Sequence, residues 1–127
     1  MVSGLHHIGI AVTNMENSLN FYRELLGFEL DFREKSEENL ELAFLYHPRK
    51  TDVQLELVKG EEVAAREGRV NHIAFNVENL DVVLAHLKES GVELITEEPM
   101  IVLGGRKKVA FFRGPDGEKL EIIEEIG

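Results

Sequence analysis

The sequence contains no cysteine and no tryptophan, and only three prolines in 127 residues. Without cysteine there is no disulfide framework, no thiolate nucleophile and no zinc site built on sulfur, so any metal chemistry must use imidazole and carboxylate ligands. Basic charge is scarce too: 14 Lys and Arg stand against 24 Asp and Glu, a formal net charge of −10. Phosphate backbones are bound through basic stripes, so nucleic acid is not an expected partner. The acidic excess lies in segments such as EKSEEN and GEEVAARE and reads as solvated surface. No apolar run approaches the length of a membrane span, and the start MVSGLHHIG lacks the basic and apolar regions of a signal peptide. The expectation is a cytoplasmic protein with no membrane partner.

What is present is an apolar fraction of 43%, enough to close one core, and an internal repeat. LHHIGIAVTNMENSLNFYRELLGFEL (residues 5–30) and VNHIAFNVENLDVVLAHLKESGVEL (70–94) each read as strand, turn, helix, glycine, strand, with a one-residue difference near the helix end. In the first copy Asn14 or Asn17 caps a helix carrying Leu19, Tyr22, Leu25 and Leu26, and Gly27 stops it. In the second, Asn79 precedes Leu80, Val83, Leu84 and Leu87, and Gly91 stops it. LELAFLYHPRKTDVQLELV and KKVAFFRGPDGEKLEIIE each add a strand, a turn and a strand. The pattern predicts an α+β fold of two βαβββ modules, repeats 1–66 and 67–127 of a single domain 1–127, forming a curved eight-stranded cup with the helices outside.

His7 and His72 are 65 residues apart, and so are Glu56 and Glu121. Side chains alternate across a strand. Ile8, Ile10 and Val12 would therefore lie under a helix with His7 opposite, beside Gly9 and Ala11. Leu55 and Leu57 lie under with Gln54 and Glu56 opposite, Ile73, Phe75 and Val77 under with His72 opposite, and Leu120 and Ile122 under with Glu121 opposite. Two carboxylates close together inside a cup repel, and a divalent cation removes that penalty. Two imidazoles and two carboxylates suit Ni, Co, Zn or Mn better than Ca or Mg. His7, Glu56, His72 and Glu121 are accordingly the candidate metal ligands, with Gln54 competing for the position of Glu56. A lone strand histidine is more often a hydrogen-bonded core or edge residue, and the matched spacing of all four is what sets these apart. His6, His47 and His86 read as structural or surface residues.

These stretches, together with QLELV and VAFFRGPDGEKLEIIEE, resemble the vicinal oxygen chelate superfamily, and within it the glyoxalase I (lactoylglutathione lyase) proteins. The resemblance covers nearly the whole chain. It implies paired βαβββ modules and a His, Glu, His, Glu metal set, which falls here on His7, Glu56, His72 and Glu121. It also implies a metal-dependent lyase or isomerase that converts the hemithioacetal of a 2-oxoaldehyde to a 2-hydroxyacyl thioester through proton abstraction and a metal-stabilised enediolate, working as a homodimer on a small-molecule substrate. A methylmalonyl-CoA epimerase-like isomerase and a non-catalytic small-molecule-binding member of the superfamily are the alternatives. Glutathione-using relatives carry a basic residue four positions after the first ligand where this chain has Ala11, which leaves the thiol open. In either reaction a carboxylate removes a proton next to a carbonyl or hydroxyl. Glu121 is the expected principal base and Glu56 its partner. Arg106, Lys107 and Lys108, in the loop GGRKK, are candidates to hold a substrate carboxylate or phosphate.

Overall fold

The computed structural model describes residues 5–35, 40–60 and 71–127. The chain divides into two compact units, Met1–Glu67 and Gly68–Gly127. Among the described residues, eight strands fall into two four-stranded mixed sheets, one per unit.

In the first unit, β1 (His7–Ala11) leads to α1 (Met15–Asn20), whose last turns widen into a π-helical segment, Phe21–Leu25, before β2 (Glu29–Lys35), β3 (Glu41–His47) and β4 (Lys50–Lys59). The strand order is β1-β4-β3-β2, with β1 and β4 parallel and the other pairs antiparallel. Asn14 caps α1: its side-chain oxygen accepts from the backbone N–H of Asn17 at 3.0 Å, satisfying a donor that has no partner within the helix. The even-numbered residues of β1 and the odd-numbered ones of β3 and β4 form the core face, with Ile10, Val12, Ala43, Leu45, Leu55 and Leu57 buried. Tyr22, Phe21, Leu19 and Met15 are buried on the helix that lies against β4.

The second unit repeats the plan with β5 (Ile73–Asn76), α2 (Leu80–Glu89), β6 (Met100–Val102), β7 (Lys107–Arg113) and β8 (Lys119–Glu125), in the order β5-β8-β7-β6 with β5 and β8 parallel. Asn79 is the cap, accepting from the Val82 N–H at 3.2 Å. Leu80, Leu84 and Leu87 are buried on α2 and His86 is exposed, as a residue off the apolar stripe of the helix should be. The helix ends in paired bonds from Gly91 N–H to Lys88 O and from Val92 N–H to Leu87 O, closed by Gly91 at φ +80°.

The one-residue difference between the two copies is taken up by the π turn. In the first unit the closing bond runs from Phe28 N–H to Tyr22 O, one residue wider than its counterpart, and Gly27 has φ +82°. A π turn accommodates one inserted residue without breaking a helix. It also rotates the apolar stripe, so that Phe21 and Phe28 are buried while the expected Leu25 and Leu26 are only half-buried. A second departure is the strand expected directly after Gly91. There, Leu94 makes an isolated bridge to Phe112, and regular pairing starts only at Met100, after Pro99, which has no N–H to give to a ladder.

A histidine–glutamate pair in each unit

The parallel pairing of β1 with β4 sets Gly9 beside Glu56 and His7 beside Gln54. On the face opposite the core, His7 Nε2 lies 3.5 Å from Glu56 Oε1. In the second unit the same register sets Ala74 beside Glu121, and His72 Nε2 lies 2.9 Å from Glu121 Oε1. The carboxylates are the sheltered partners. Glu121 is 8% exposed, a depth at which a carboxylate is ordinarily paired, whereas both imidazoles keep more than a third of their side-chain surface. At the position next to each glutamate the strand carries only Gly9 or Ala74, and a Cβ at Gly9 would rest 3.5 Å from Glu56 Oε1, an ordinary contact.

The face holds more than the ligand residues expected from the sequence. Phe44 is the cross-strand neighbour of Glu56, and its ring meets His7 edge-on with centroids 5.6 Å apart. Phe111 is the neighbour of Glu121 and meets His72 in the same way at 5.5 Å. Each unit thus presents a row of small residue, glutamate and phenylalanine, with the histidine against both larger side chains. Phe32 extends the first row by stacking on Phe44 at 4.8 Å. Lys119 is on the Glu121 face, two residues earlier on β8, and its Nζ lies 4.8 Å from the Phe111 ring centroid.

The far side of each imidazole is also engaged. His72 Nδ1 is 2.9 Å from Asn71 Oδ1, and His7 Nδ1 is 3.0 Å from His6 Nδ1. His6, which the sequence reads as a structural or surface residue, makes this contact. Regular pairing begins at His7, so strict alternation does not govern His6, and its ring reaches its neighbour.

Gln54 does not compete with Glu56, because its Nε2 donates to Asp31 Oδ2 at 3.0 Å. His47 is structural: its ring packs edge-on against Phe28 and its Nδ1 accepts from the Arg49 N–H. The expected anion-holding loop is otherwise engaged. Arg106 Nε closes the β6–β7 turn by donating to Leu103 O at 3.0 Å. The Lys107 ammonium is bound to Glu125, its cross-strand neighbour and four residues beyond Glu121 on β8. The Lys108 ammonium donates a hydrogen bond to Asp81 on α2 at 2.7 Å, which puts it on the helix side of the sheet and holds its pKa above the ordinary lysine value. Opposite charges distant in sequence claimed these two lysines, and GGRKK by itself gives no sign of them.

Imidazole nitrogen and carboxylate oxygen aimed at one another make half of a coordination sphere for a borderline divalent cation. Where Nδ1 donates its proton to Asn71, the Nε2 lone pair faces Glu121 Oε1 at 2.9 Å, and two such acceptors are compatible only with a proton or a cation between them. Among the described residues the structure joins His7 to Glu56 in the first unit and His72 to Glu121 in the second.

A sequence model of the Glyoxalase/Bleomycin resistance protein/Dioxygenase superfamily matches residues 4–122. The chain belongs to this superfamily. Among its relatives in the superfamily, the lactoylglutathione lyase of Escherichia coli O157:H7 is 33% identical over 125 residues, covering 95% of this chain and 92% of that one. An uncharacterized Bacillus subtilis protein, YwbC, is 31% identical over 127 residues, covering 98% and 99%. The crystal structure of the glyoxalase family protein from Enterococcus faecalis superposes with a TM-score of 0.79 at 32% identity, covering 95% of this chain and 97% of that one. The two sheets of four mixed strands with few helices are the α+β fold of the superfamily. Among the described residues no helix is long and apolar enough to cross a membrane.

Proposed function

We propose that this protein is a metal-dependent lyase of the glyoxalase I type, which isomerises the hemithioacetal of a 2-oxoaldehyde to a 2-hydroxyacyl thioester. The observation that carries the reading is the pair of matched contacts, His7 with Glu56 and His72 with Glu121, each between parallel neighbouring strands. Simple binding of an apolar molecule needs no sheltered carboxylate, whereas proton transfer does. The similarity to lactoylglutathione lyases supports the same reaction class.

His7, Glu56, His72 and Glu121 would hold the cation, two donors from each unit. In this proposal the pairs belong to two copies of the chain, so that His7 and Glu56 of one copy complete the set begun by His72 and Glu121 of the other, and a homodimer is the working form. When bound, the cation supplies Lewis acidity that polarises the substrate oxygens and offsets, by several kcal/mol, the charge left when a proton is removed.

Glu121 takes the proton from the carbon that bears both hydroxyl and sulfur. It returns that proton to the adjacent carbon, the former ketone carbon, while the hydroxyl proton of the first carbon passes to the former ketone oxygen, so the first C–OH becomes the thioester carbonyl and atoms and electrons balance with no second reactant. Glu56 faces the reacting carbons from the other pair and keeps the transferred proton from being lost. Phe44 and Phe111, set beside the two carboxylates, exclude water from the transfer and provide apolar surface for the oxoaldehyde substituent. Lys119 supplies positive charge on the Glu121 face, where a carboxylate-bearing thiol would gain from it.

The test is to strip the purified protein with a chelator, reload it singly with Ni, Co, Zn or Mn, and follow thioester formation from methylglyoxal with glutathione and with other small thiols. Turnover that vanishes on stripping and returns on reloading is expected. Metal-loaded protein that left every hemithioacetal unchanged but exchanged the α-proton of methylmalonyl-CoA would move the assignment to an epimerase, and failure with both would leave a binding module.

A further inference from the structure

The histidine of each pair has a second partner, and the two partners occupy matching places in the repeat. Asn71 precedes His72, and His6 precedes His7, again 65 residues apart. Asn71 Oδ1 lies 2.9 Å from His72 Nδ1, and His6 Nδ1 lies 3.0 Å from His7 Nδ1. In both units, therefore, Nδ1 is held by the preceding residue while Nε2 faces the glutamate.

The donor roles follow from chemistry. An amide oxygen only accepts, so the bond at Asn71 requires the proton on His72 Nδ1 and leaves the Nε2 lone pair free. Between His6 and His7 one ring must donate and the other accept, since two bare lone pairs or two N–H groups at 3.0 Å repel. Only the arrangement in which His7 donates and His6 accepts leaves His7 Nε2 with a lone pair towards Glu56, as in the second unit. Which imidazole nitrogen is free to act as a ligand is set by the bond that the other makes.

We infer that His6 and Asn71 are positioning residues that fix the Nδ1–H tautomer and the ring orientation of His7 and His72, presenting Nε2 to the site. This rests on the proposed cation centre for its functional consequence, but the tautomer itself is a property of the protein alone. It gives the exposed His6 a role that strand alternation denied it. It also accounts for two different residue types at one repeat position, because a neutral imidazole nitrogen and an amide oxygen are both acceptors.

Two readouts test it. The first is the ¹⁵N pattern of the imidazoles by NMR on metal-free protein, where a proton stands between Nε2 and the glutamate, and it reports directly whether Nδ1 is protonated as well. The parent should show a protonated Nδ1 on both His7 and His72, Asn71→Ala should lose it at His72 only, and His6→Ala at His7 only. The second is the equilibrium affinity for Zn²⁺ by competition with a chromophoric chelator. Asn71→Ala and His6→Ala should each weaken it about 10- to 100-fold, whereas Asn71→Asp and His6→Asn, which keep an acceptor, should stay within about threefold of the parent. Rescue by the acceptor-keeping variants separates positioning from a general loss of packing, and thermal melting of each variant identifies any that fail to fold. Parent-like ¹⁵N patterns in both alanine variants would overturn the inference. A protein with the expected tautomers that bound no divalent cation would overturn the proposed function and leave the positioning intact.

Discussion

Glu121 Oε1 stands 2.9 Å from Nε2 of His72, with the carboxylate nearly buried and the imidazole open to solvent. In the proposed reaction that shelter suits Glu121 to act as the base, because a poorly hydrated carboxylate abstracts a proton more readily than a solvated one. Glu121→Gln keeps shape and an oxygen donor but removes the charge and nearly all the basicity. With metal content matched to the parent, its kcat should fall by about 10²- to 10⁴-fold. If the metal-replete variant turned over within about tenfold of the parent, Glu121 would be a ligand only and Glu56 would be the base.

Strand alternation and the 65-residue repeat located the two histidine–glutamate pairs because β1 with β4 and β5 with β8 are parallel neighbours in regular register. Alternation assigns a residue to a face but does not show a bond to its own chain neighbour, so the contacts of His6 with His7 and of Asn71 with His72 are not legible from it. Phe44 and Phe111 are hidden for another reason. The β3–β4 and β7–β8 hairpins differ in length, so these two phenylalanines are 67 residues apart, although each sits beside its glutamate. The basic run at Arg106–Lys108 looked available because Asp81 and Glu125, which engage its lysines, are far along the chain.

Tyr46, on β3 two residues beyond Phe44, gives a test that depends on pH. Its hydroxyl donates to Glu29 Oε2 at 2.7 Å, and that hydrogen bond, followed by the carboxylate's charge, raises its pKa above the ordinary tyrosine value. The folded protein holds this proton more tightly than the unfolded chain does. The contribution is therefore fully present below the unfolded-state pKa and is lost as pH rises through the folded-state pKa, in the alkaline range. Ultraviolet difference titration should show Tyr46 ionising above free tyrosine, and Glu29→Gln should lower that midpoint. An unchanged midpoint in Glu29→Gln would show that the bond does not form in solution.

Ser18 is fully buried on α1, and among the described residues its hydroxyl has no hydrogen-bond partner. An unsatisfied buried hydroxyl costs roughly 1–3 kcal/mol, and alanine is the better helix former. Ser18→Ala should raise the stability by about 1 kcal/mol, read from the midpoint of urea unfolding at constant slope. A loss of similar size would mean that the hydroxyl is bonded after all.

The proposed sharing of ligands between copies of the chain makes a prediction that no arrangement within one chain can imitate. His7→Gln and His72→Gln should each weaken cation binding and be nearly inactive at limiting metal, since each removes a nitrogen ligand from every site. In a mixed dimer both substitutions fall into one site, which is lost twice over. The other site then receives His7 from the chain altered at His72, and His72 from the chain altered at His7, and is intact. After the two inactive variants are mixed and their subunits allowed to exchange, half of the dimers are mixed and each has one good site, so activity should recover to about a quarter of the parent. If both ligand pairs came from the same chain, every site would carry one substitution and mixing would restore nothing. A mass-resolved check that the subunits had exchanged makes a flat result decisive against the shared site.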